Sequence, residues 1–115
     1  MSSCNELTIN GIEYVKKQMP ISTTFVLVRT YSAGVHVGEL LSQIGKEVVL
    51  KNARRIWYWD GAASLSQLAM EGTSKPENCK FPCEVQEITL TEAIEIIPCT
   101  DKAIKSIKDV KIWKQ

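Results

Sequence analysis

The residues best suited to chemistry in this chain lie between positions 54 and 59, in the run RRIWYW. This run places two guanidinium groups beside two indole rings and a phenol. Such a set suits a flat, anionic ligand, because aromatic faces stack on a base and a guanidinium forms planar, charge-assisted hydrogen bonds to phosphate. It equally suits a strand that fills a core or a subunit interface, where tryptophans are common. The sequence leaves both interpretations open.

Strand alternation divides these side chains between two faces. In an extended segment, Arg55, Trp57 and Trp59 share one face, opposite Arg54. An exposed indole would form a stacking platform that contributes about 1–3 kcal/mol for each stacked base. We therefore expect Trp57 and Trp59 to stack on a ligand, and Arg54 and Arg55 to contact its phosphate.

Three further side chains are candidates for the same site. Tyr31 extends the apolar row of a strand toward its turn, where its ring could stack. His36 and Ser64 could form peripheral hydrogen bonds, because an imidazole and a hydroxyl both donate and accept. The predicted ligand-binding residues are Tyr31, His36, Arg54, Arg55, Trp57, Trp59 and Ser64.

Recognisable catalytic patterns are missing from the sequence. It has no GxSxG nucleophile elbow, no Walker phosphate-binding loop and a single histidine, His36. Asp60 and Glu71 have structural explanations at helix ends. The four cysteines lack paired CxxC motifs and do not indicate a zinc site. We expect a protein that binds without catalysing a reaction, and that uses no cofactor and no metal.

The composition indicates one small folded domain. The chain has 115 residues, and a chain of this size buries roughly two-thirds of its unfolded surface, enough for one core. Its 14 lysines and arginines against 13 acidic residues give a net charge of +1. This argues against nucleic acid as a partner, because non-specific binding to it needs a strong basic field.

Targeting signals are also missing. No run approaches the roughly 18 apolar residues of a membrane span. The N-terminus lacks a charged segment followed by an apolar one, so no secretory signal is expected. We expect a cytosolic protein with no membrane partner.

Turn residues and alternating apolar positions predict an α+β fold. The expected architecture is an antiparallel β-sheet, formed by an N-terminal hairpin plus about four strands, with one central helix and a short C-terminal helix. We expect a single domain over residues 1–115, in which residues 1–20 form a β-hairpin extension around Asn10-Gly11 and residues 23–113 form the core.

Four strands are predicted after the first hairpin, joined by turns at Ser32-Ala33-Gly34 and Gly45 and bent near Asn52-Ala53. Glu92 shares the parity of an apolar row: it is either buried beside Arg29, Arg54 or Arg55, or turned outward by a local bulge. The predicted strands cover residues 23–31, 35–43, 46–59 and 84–97, and the run LTEAIEI within the last of them is also compatible with a helix.

The predicted helices have recognisable ends. Asp60 is expected to cap a helix over residues 62–71, which Gly72 ends. Thr100 is expected to cap the final helix. Its apolar side chains at Ile104, Ile107 and Val110 would share one face.

The run from about Phe25 to Trp113 resembles a family of small tailed-phage proteins. The resemblance is carried by VRTYSAGVHVG, by ARRIWYWDGAASLSQLAMEG, by NCKF at 78–81 and by EIIPCT at 95–100. That family is similar to phage sponge proteins of the anti-CBASS type, which inhibit cyclic-nucleotide-based antiphage immunity. The resemblance implies a homo-oligomer in the host bacterial cytoplasm that sequesters a cyclic dinucleotide or a related nucleotide signal without cleaving it.

A different function is compatible with the same residues. The protein could be a structural or protein-interaction component of the phage with no small-molecule ligand, and the tryptophan face would then be a protein interface. The identity and linkage of the nucleotide and the number of subunits are left open by the sequence.

Overall fold

The computed structural model describes residues 21–114, with side chains from Thr24 onward. The hairpin predicted within residues 1–20 lies outside this range. The predicted α+β class is confirmed as an antiparallel five-stranded sheet with two helices. The elements are β1 (Ile21–Thr30), β2 (Val35–Ile44), β3 (Glu47–Ile56), α1 (Leu65–Glu71), a 3₁₀ turn (Pro76–Asn78), β4 (Val85–Leu90), β5 (Ala93–Thr100) and α2 (Asp101–Asp109).

The sheet has the strand order β4-β3-β2-β1-β5, yet its two edge strands are joined by Thr91 and Glu92 alone. The edges of a flat five-stranded sheet lie about 19 Å apart. Three successive Cα–Cα steps span at most about 11 Å. The sheet must therefore curl at this end, and the Ala93 N–H indeed donates to the Lys46 carbonyl in the β2–β3 turn, at 3.0 Å.

Each face of the curled sheet carries its own apolar cluster. The inner, concave cluster consists of Val26, Val28, Val48, Leu50, Ala53, Leu90 and Ala93. The other face packs against the two helices. The main side chains of this helix-side cluster are Phe25, Leu27, Val37, Ile56, Leu68, Phe81 and Ile107.

The segment predicted as one strand over 84–97 is two strands, because the chain turns at Thr91 and Glu92. Of the two placements left open for Glu92, the structure has the outward one. Its side chain is exposed, and its carboxylate accepts a hydrogen bond from the Ser32 hydroxyl at 2.8 Å. Side chains alternate between the two faces only within an extended strand, and Glu92 lies in a tight turn between two strands.

The bend predicted near Asn52-Ala53 is confirmed. Asn52 has a φ of 52°, the one positive φ outside glycine among the described residues. The β2–β3 register shifts at this point, and beyond it Arg54 pairs with Val37 and Arg55 with His36. The two arginines therefore leave β3 on opposite faces, Arg54 toward the helices and Arg55 away from them.

Two of the three predicted helix ends are confirmed. Gly72 follows α1 with a φ of 79° and donates its N–H to Leu68, and Thr100 caps α2 by accepting from the Ala103 N–H. The predicted cap of α1 is wrong. Ser64 caps this helix, which begins at Leu65, because Asp60 is turned toward Asn78 and the Gly61 N–H.

Asp60 has a structural explanation of a different kind. Its carboxylate oxygens accept from the Asn78 amide at 3.0 Å and from the Gly61 N–H at 2.8 Å. Both hydrogen bonds lower the pKa of this carboxyl, the one from Asn78 more than the one from Gly61. Asp60 thereby links the segment after β3 to the 3₁₀ turn.

No helix among the described residues is long and apolar enough to cross a membrane.

Replacing Gly72 with alanine should destabilise the fold more than the same change at Gly45. Both glycines have a positive φ, which costs a side-chain-bearing residue about 1–2 kcal/mol. A Cβ at position 72 would also overlap the Ser106 side chain of α2, whereas nothing lies within 4 Å of a Cβ at position 45. We expect Gly72→Ala to lower the free energy of unfolding by about 2–4 kcal/mol and Gly45→Ala by about 1–2 kcal/mol in urea denaturation. Equal losses would contradict the close α1–α2 contact.

Candidate ligand-binding surface

Two aromatic side chains are exposed directly after β3. This strand ends at Ile56, and the next residues leave the sheet to pair with a loop: the Trp57 N–H donates to the Lys80 carbonyl at 3.1 Å, and Tyr58 and Lys80 form a β-bridge. The side chains of Trp57 and Tyr58 are 61% and 51% exposed. Large exposed apolar patches mark interaction sites, so these two rings are candidates for a binding surface.

A third ring joins them from the C-terminal end. Beyond α2, Ile112 forms a parallel β-bridge with Phe81, and the Trp113 N–H donates to the Phe81 carbonyl at 3.0 Å. This contact places the indole of Trp113 beside that of Trp57. Their planes differ by 5° and their ring centroids lie 6.5 Å apart.

A lysine ammonium completes this cluster. The Lys80 Nζ lies 5.6 Å from the centroid of Trp113 and 5.9 Å from that of Tyr58. These are cation–π distances, so the rings hold a positive charge at the surface without an acidic partner among the described residues. Trp57, Tyr58, Lys80 and Trp113 are called the aromatic surface below.

Two grooves open beside the aromatic surface, and Glu77, Cys79 and Trp113 line both. Their volumes are about 460 and 420 Å³, within the usual range of small-molecule sites. Pro76, Asp109, Lys111 and Ile112 complete the first groove, and Tyr58, Asp60, Asn78 and Lys80 complete the second.

Arg54 supports the aromatic surface from the interior of the protein. Its side chain is buried, 6% exposed, between β3 and the end of α2. The Nε donates to the Pro82 carbonyl at 2.8 Å and the Nη1 to Ile107 at 2.9 Å. The Nη2 donates to Phe81 at 3.0 Å and to Val110 at 2.7 Å.

These four bonds conflict with the predicted phosphate contact of Arg54. One guanidinium N–H is left, and the group lies inside the fold. Burial lowers the pKa of Arg54, but an arginine stays protonated in proteins. The charge also lies at the carbonyl end of α2, where the helix dipole favours a cation. Arg54 therefore fastens the two segments that carry Lys80 and Trp113.

A family model described as Domain of unknown function (DUF6948) matches residues 23–107, most of the chain. The chain belongs to the DUF6948 family. No significant match was found among curated proteins or among solved structures. In this DUF6948 protein the matched segment supplies Trp57, Tyr58 and Lys80, whereas Trp113 lies beyond it.

Two of the predicted ligand residues serve the fold of the DUF6948 protein. Trp59 is half-buried against the helix-side cluster, and its Nε1 donates to the Ala62 carbonyl at 3.3 Å. It does not share the exposed face of Trp57, because β3 ends at Ile56 and its alternation does not extend to these residues. Ser64 accepts from the Gln67 N–H as the cap of α1.

Tyr31 and Arg55 are exposed but lie apart from the two grooves. Tyr31 is 79% exposed in the β1–β2 turn, and β1 is separated from β3 by one intervening strand, about 10 Å in all. Arg55 makes no hydrogen bond or ion pair with the described part of the chain. It precedes Trp57 by two residues and remains a candidate phosphate ligand at the edge of the aromatic surface.

His36 lies inside the sheet of the DUF6948 protein. It is 1% exposed, and its Nε2 lies 2.9 Å from the Ala33 carbonyl, to which the neutral ring can donate. The predicted peripheral hydrogen bond to a ligand does not fit this placement. Burial lowers the pKa of His36; the Ala33 hydrogen bond opposes this shift, and the charge of Arg55 adds to it.

The depressed pKa makes stability depend on pH. As pH falls below the ordinary histidine value of 6.5, the unfolded chain takes up a proton that the folded chain resists, so the folded state loses stability. We expect the free energy of unfolding to fall between about pH 7.5 and pH 5.5. Urea denaturation of His36→Leu should show a flatter profile over this interval. Parallel profiles for the two proteins would contradict a neutral, buried His36.

The described cysteines do not form a metal site, and no cluster of potential ligands exists among the described residues. Cys79 and Cys99 are buried and Cys83 is exposed, all as free thiols. Burial raises the pKa of Cys99 to about 12, which keeps this thiol protonated and unreactive at neutral pH.

Proposed function

We propose that this DUF6948 protein binds a nucleotide at the aromatic surface and does not transform it. The observation that carries the proposal is a cluster of rings beside two grooves: Trp57 and Tyr58 are exposed, the half-buried Trp113 stacks beside Trp57, and the Lys80 ammonium lies near Tyr58 and Trp113. Aromatic faces stack on any base, and an ammonium binds phosphate. A binder of this kind needs no nucleophile or general base, and the single histidine of the chain is inside the sheet.

The resemblance to tailed-phage proteins supports a more specific version of this proposal. The protein is then a phage-encoded sponge of the anti-CBASS type. It sequesters a cyclic dinucleotide or a related immune signal in the host bacterial cytoplasm, as a homo-oligomer. In this version the biological role is sequestration of the immune signal, and the aromatic surface provides base stacking and phosphate binding.

A second function is favoured by the apolar character of the same region. Ile112 is 58% exposed beside Trp113 in the first groove, and Trp57, which lines neither groove, extends the apolar surface outside them. Such a patch also suits contact with another protein, as expected of a structural or interaction component of a phage.

Thermal unfolding in the presence of nucleotides tests the main proposal. Cyclic di-GMP, cyclic di-AMP, GMP, AMP and the cyclic isomers of ADP-ribose are added separately to the protein. A bound ligand at 100 times its Kd should stabilise the fold by about 2.7 kcal/mol. Heating the complex should then release the ligand with its mass unchanged in mass spectrometry.

The outcomes separate the possibilities. Stabilisation with unchanged ligand mass supports a sponge, and a changed mass would instead indicate an enzyme. No stabilisation by any of these nucleotides would overturn the proposal. If Trp57→Ala also reduced the oligomer size in light scattering, the protein-interface function would be favoured.

A further inference from the structure

We infer that the aromatic surface selects a guanine base, and that the carboxylate of Glu77 makes this selection. The inference rests on the proposed nucleotide binding and names the base, which neither the family nor the resemblance assigns. Three observations carry it: the spacing of two indoles, the state of the carboxylates in the grooves and the position of the Lys80 ammonium.

The two indoles form one nearly parallel pair. Trp57 and Trp113 are 5° from parallel with centroids 6.5 Å apart. A ring inserted between two parallel rings needs planes about 7 Å apart, twice the contact distance of about 3.5 Å between carbons, so a base does not fit between these two. Trp57 is 61% exposed, and a base can stack on the exposed surface of this pair.

Three carboxylates line the grooves, and two of them already have partners. Asp60 accepts from Asn78 and Gly61, and Asp109 forms an ion pair with Lys105 at 3.1 Å. Glu77 is exposed, lines both grooves with Trp113, and makes no hydrogen bond or ion pair with any described residue. It is the carboxylate that is available to a ligand.

A free carboxylate beside a stacked base distinguishes guanine from adenine. An ionised carboxylate only accepts hydrogen bonds, and its two oxygens can accept from two neighbouring donors. The Watson–Crick edge of guanine presents two such donors, the N1–H and the exocyclic amino group. Adenine has an acceptor at N1, which the carboxylate repels. Glu77 therefore favours guanine, while Lys80 pairs with the phosphate.

Paired titrations in a calorimeter test this assignment. GMP is compared with AMP, and cyclic di-GMP with cyclic di-AMP, on the wild-type protein and on Glu77→Gln. We expect the wild type to bind the guanine member about tenfold more tightly, the usual effect of one bidentate contact to a base. Glu77→Gln should reduce the ratio of guanine to adenine affinity to about twofold or less, because it weakens binding of the guanine nucleotide.

Glu47→Gln is the matched control. Glu47 is an exposed carboxylate at the opposite end of β3 from Ile56, and this variant should keep the tenfold ratio. Equal affinities in the wild type, or an unchanged ratio in Glu77→Gln, would overturn the role of Glu77 and leave nucleotide binding intact. Failure of all four nucleotides to bind would overturn this inference, and the proposed function would fall with it if the cyclic isomers of ADP-ribose also failed to stabilise the protein.

Discussion

Replacing Arg54 with methionine is expected to lower the free energy of unfolding by about 3–5 kcal/mol. Methionine keeps most of the side-chain volume but donates no hydrogen bond, so the carbonyls of Pro82 and Val110 lose their described partner. The other two carbonyls lose one of two donors, because Phe81 still accepts from Trp113 and Ile107 from Val110. Each carbonyl left unpaired inside a protein costs about 1–3 kcal/mol, and water entering the gap recovers part of the total. A loss of this size is a large fraction of the 5–15 kcal/mol that stabilises a typical domain.

Arg55 provides the matched control for this experiment. It is the neighbouring residue, has the same side chain and is exposed without a described partner, so Arg55→Met should change stability by about 0.5 kcal/mol or less. The loss of unfolding free energy in Arg54→Lys should lie between those of Arg54→Met and Arg55→Met, because an ammonium has three donors but lacks the planar geometry of a guanidinium. Urea denaturation at pH 7 measures all three variants. Equal losses for Arg54→Met and Arg55→Met would show that the carbonyl contacts contribute little.

The same variant should also disturb the aromatic surface. Arg54 binds the carbonyls of Phe81 and Pro82 on one side and of Ile107 and Val110 on the other. Lys80 immediately precedes the first pair in the chain, and Trp113 follows the second. The sequence indicated that Arg54 belongs to the candidate site, but its role is to position other residues rather than to touch a ligand.

The parts of the fold that were predicted correctly depend on local chemistry. The turn at Gly45, the end of α1 at Gly72 and the bend at Asn52 each need a backbone conformation that a few residue types adopt, and all three have a positive φ. Thr100 is a helix cap because its hydroxyl reaches an N–H three residues along the chain. Such features can be predicted because donor and acceptor are close in sequence.

The parts that were wrong depend on contacts between distant segments. Alternation placed Trp57 and Trp59 on one face, but the sheet ends at Ile56 and the following residues pair with Lys80, more than twenty positions away. The break between β4 and β5 likewise follows from closure of the curled sheet, which no local pattern marks.

The candidate site itself was predicted only in part. Trp57 was expected and is exposed, whereas Lys80 and Trp113 were not expected. The one signal for Trp113 is a third tryptophan among charged residues after an amphipathic helix, and periodicity assigns no direction to a residue beyond the helix end. Its contact with Trp57 is created by the Phe81–Ile112 bridge, a tertiary interaction.

Removing the Trp113 ring should weaken nucleotide binding about 5- to 150-fold, the equivalent of the 1–3 kcal/mol that one stacked base contributes. Trp113 is the ring that lines both grooves and faces both Trp57 and the Lys80 ammonium. Trp113→Ala removes this stacking face and one of the two rings that hold the ammonium. Trp113→Phe keeps a smaller face and should recover part of the affinity. Calorimetric titration with the nucleotide that binds the wild type measures both changes without depending on tryptophan fluorescence.

Tyr31→Ala is the control for non-specific binding to an exposed aromatic ring. Tyr31 is the most exposed of the large hydrophobic side chains of the described chain, at 79%, and it lies outside both grooves. If affinity arises from non-specific contact with exposed rings, Tyr31→Ala and Trp113→Ala should weaken binding alike. If it arises from the aromatic surface, only Trp113→Ala should do so. The loss in Trp113→Ala should then not add to the loss in Trp57→Ala, because the two indoles form one stacked pair on which the base lies. Additive losses from the two tryptophans would mean that each ring acts on a separate ligand group, and a single stacking site on this pair would then be wrong.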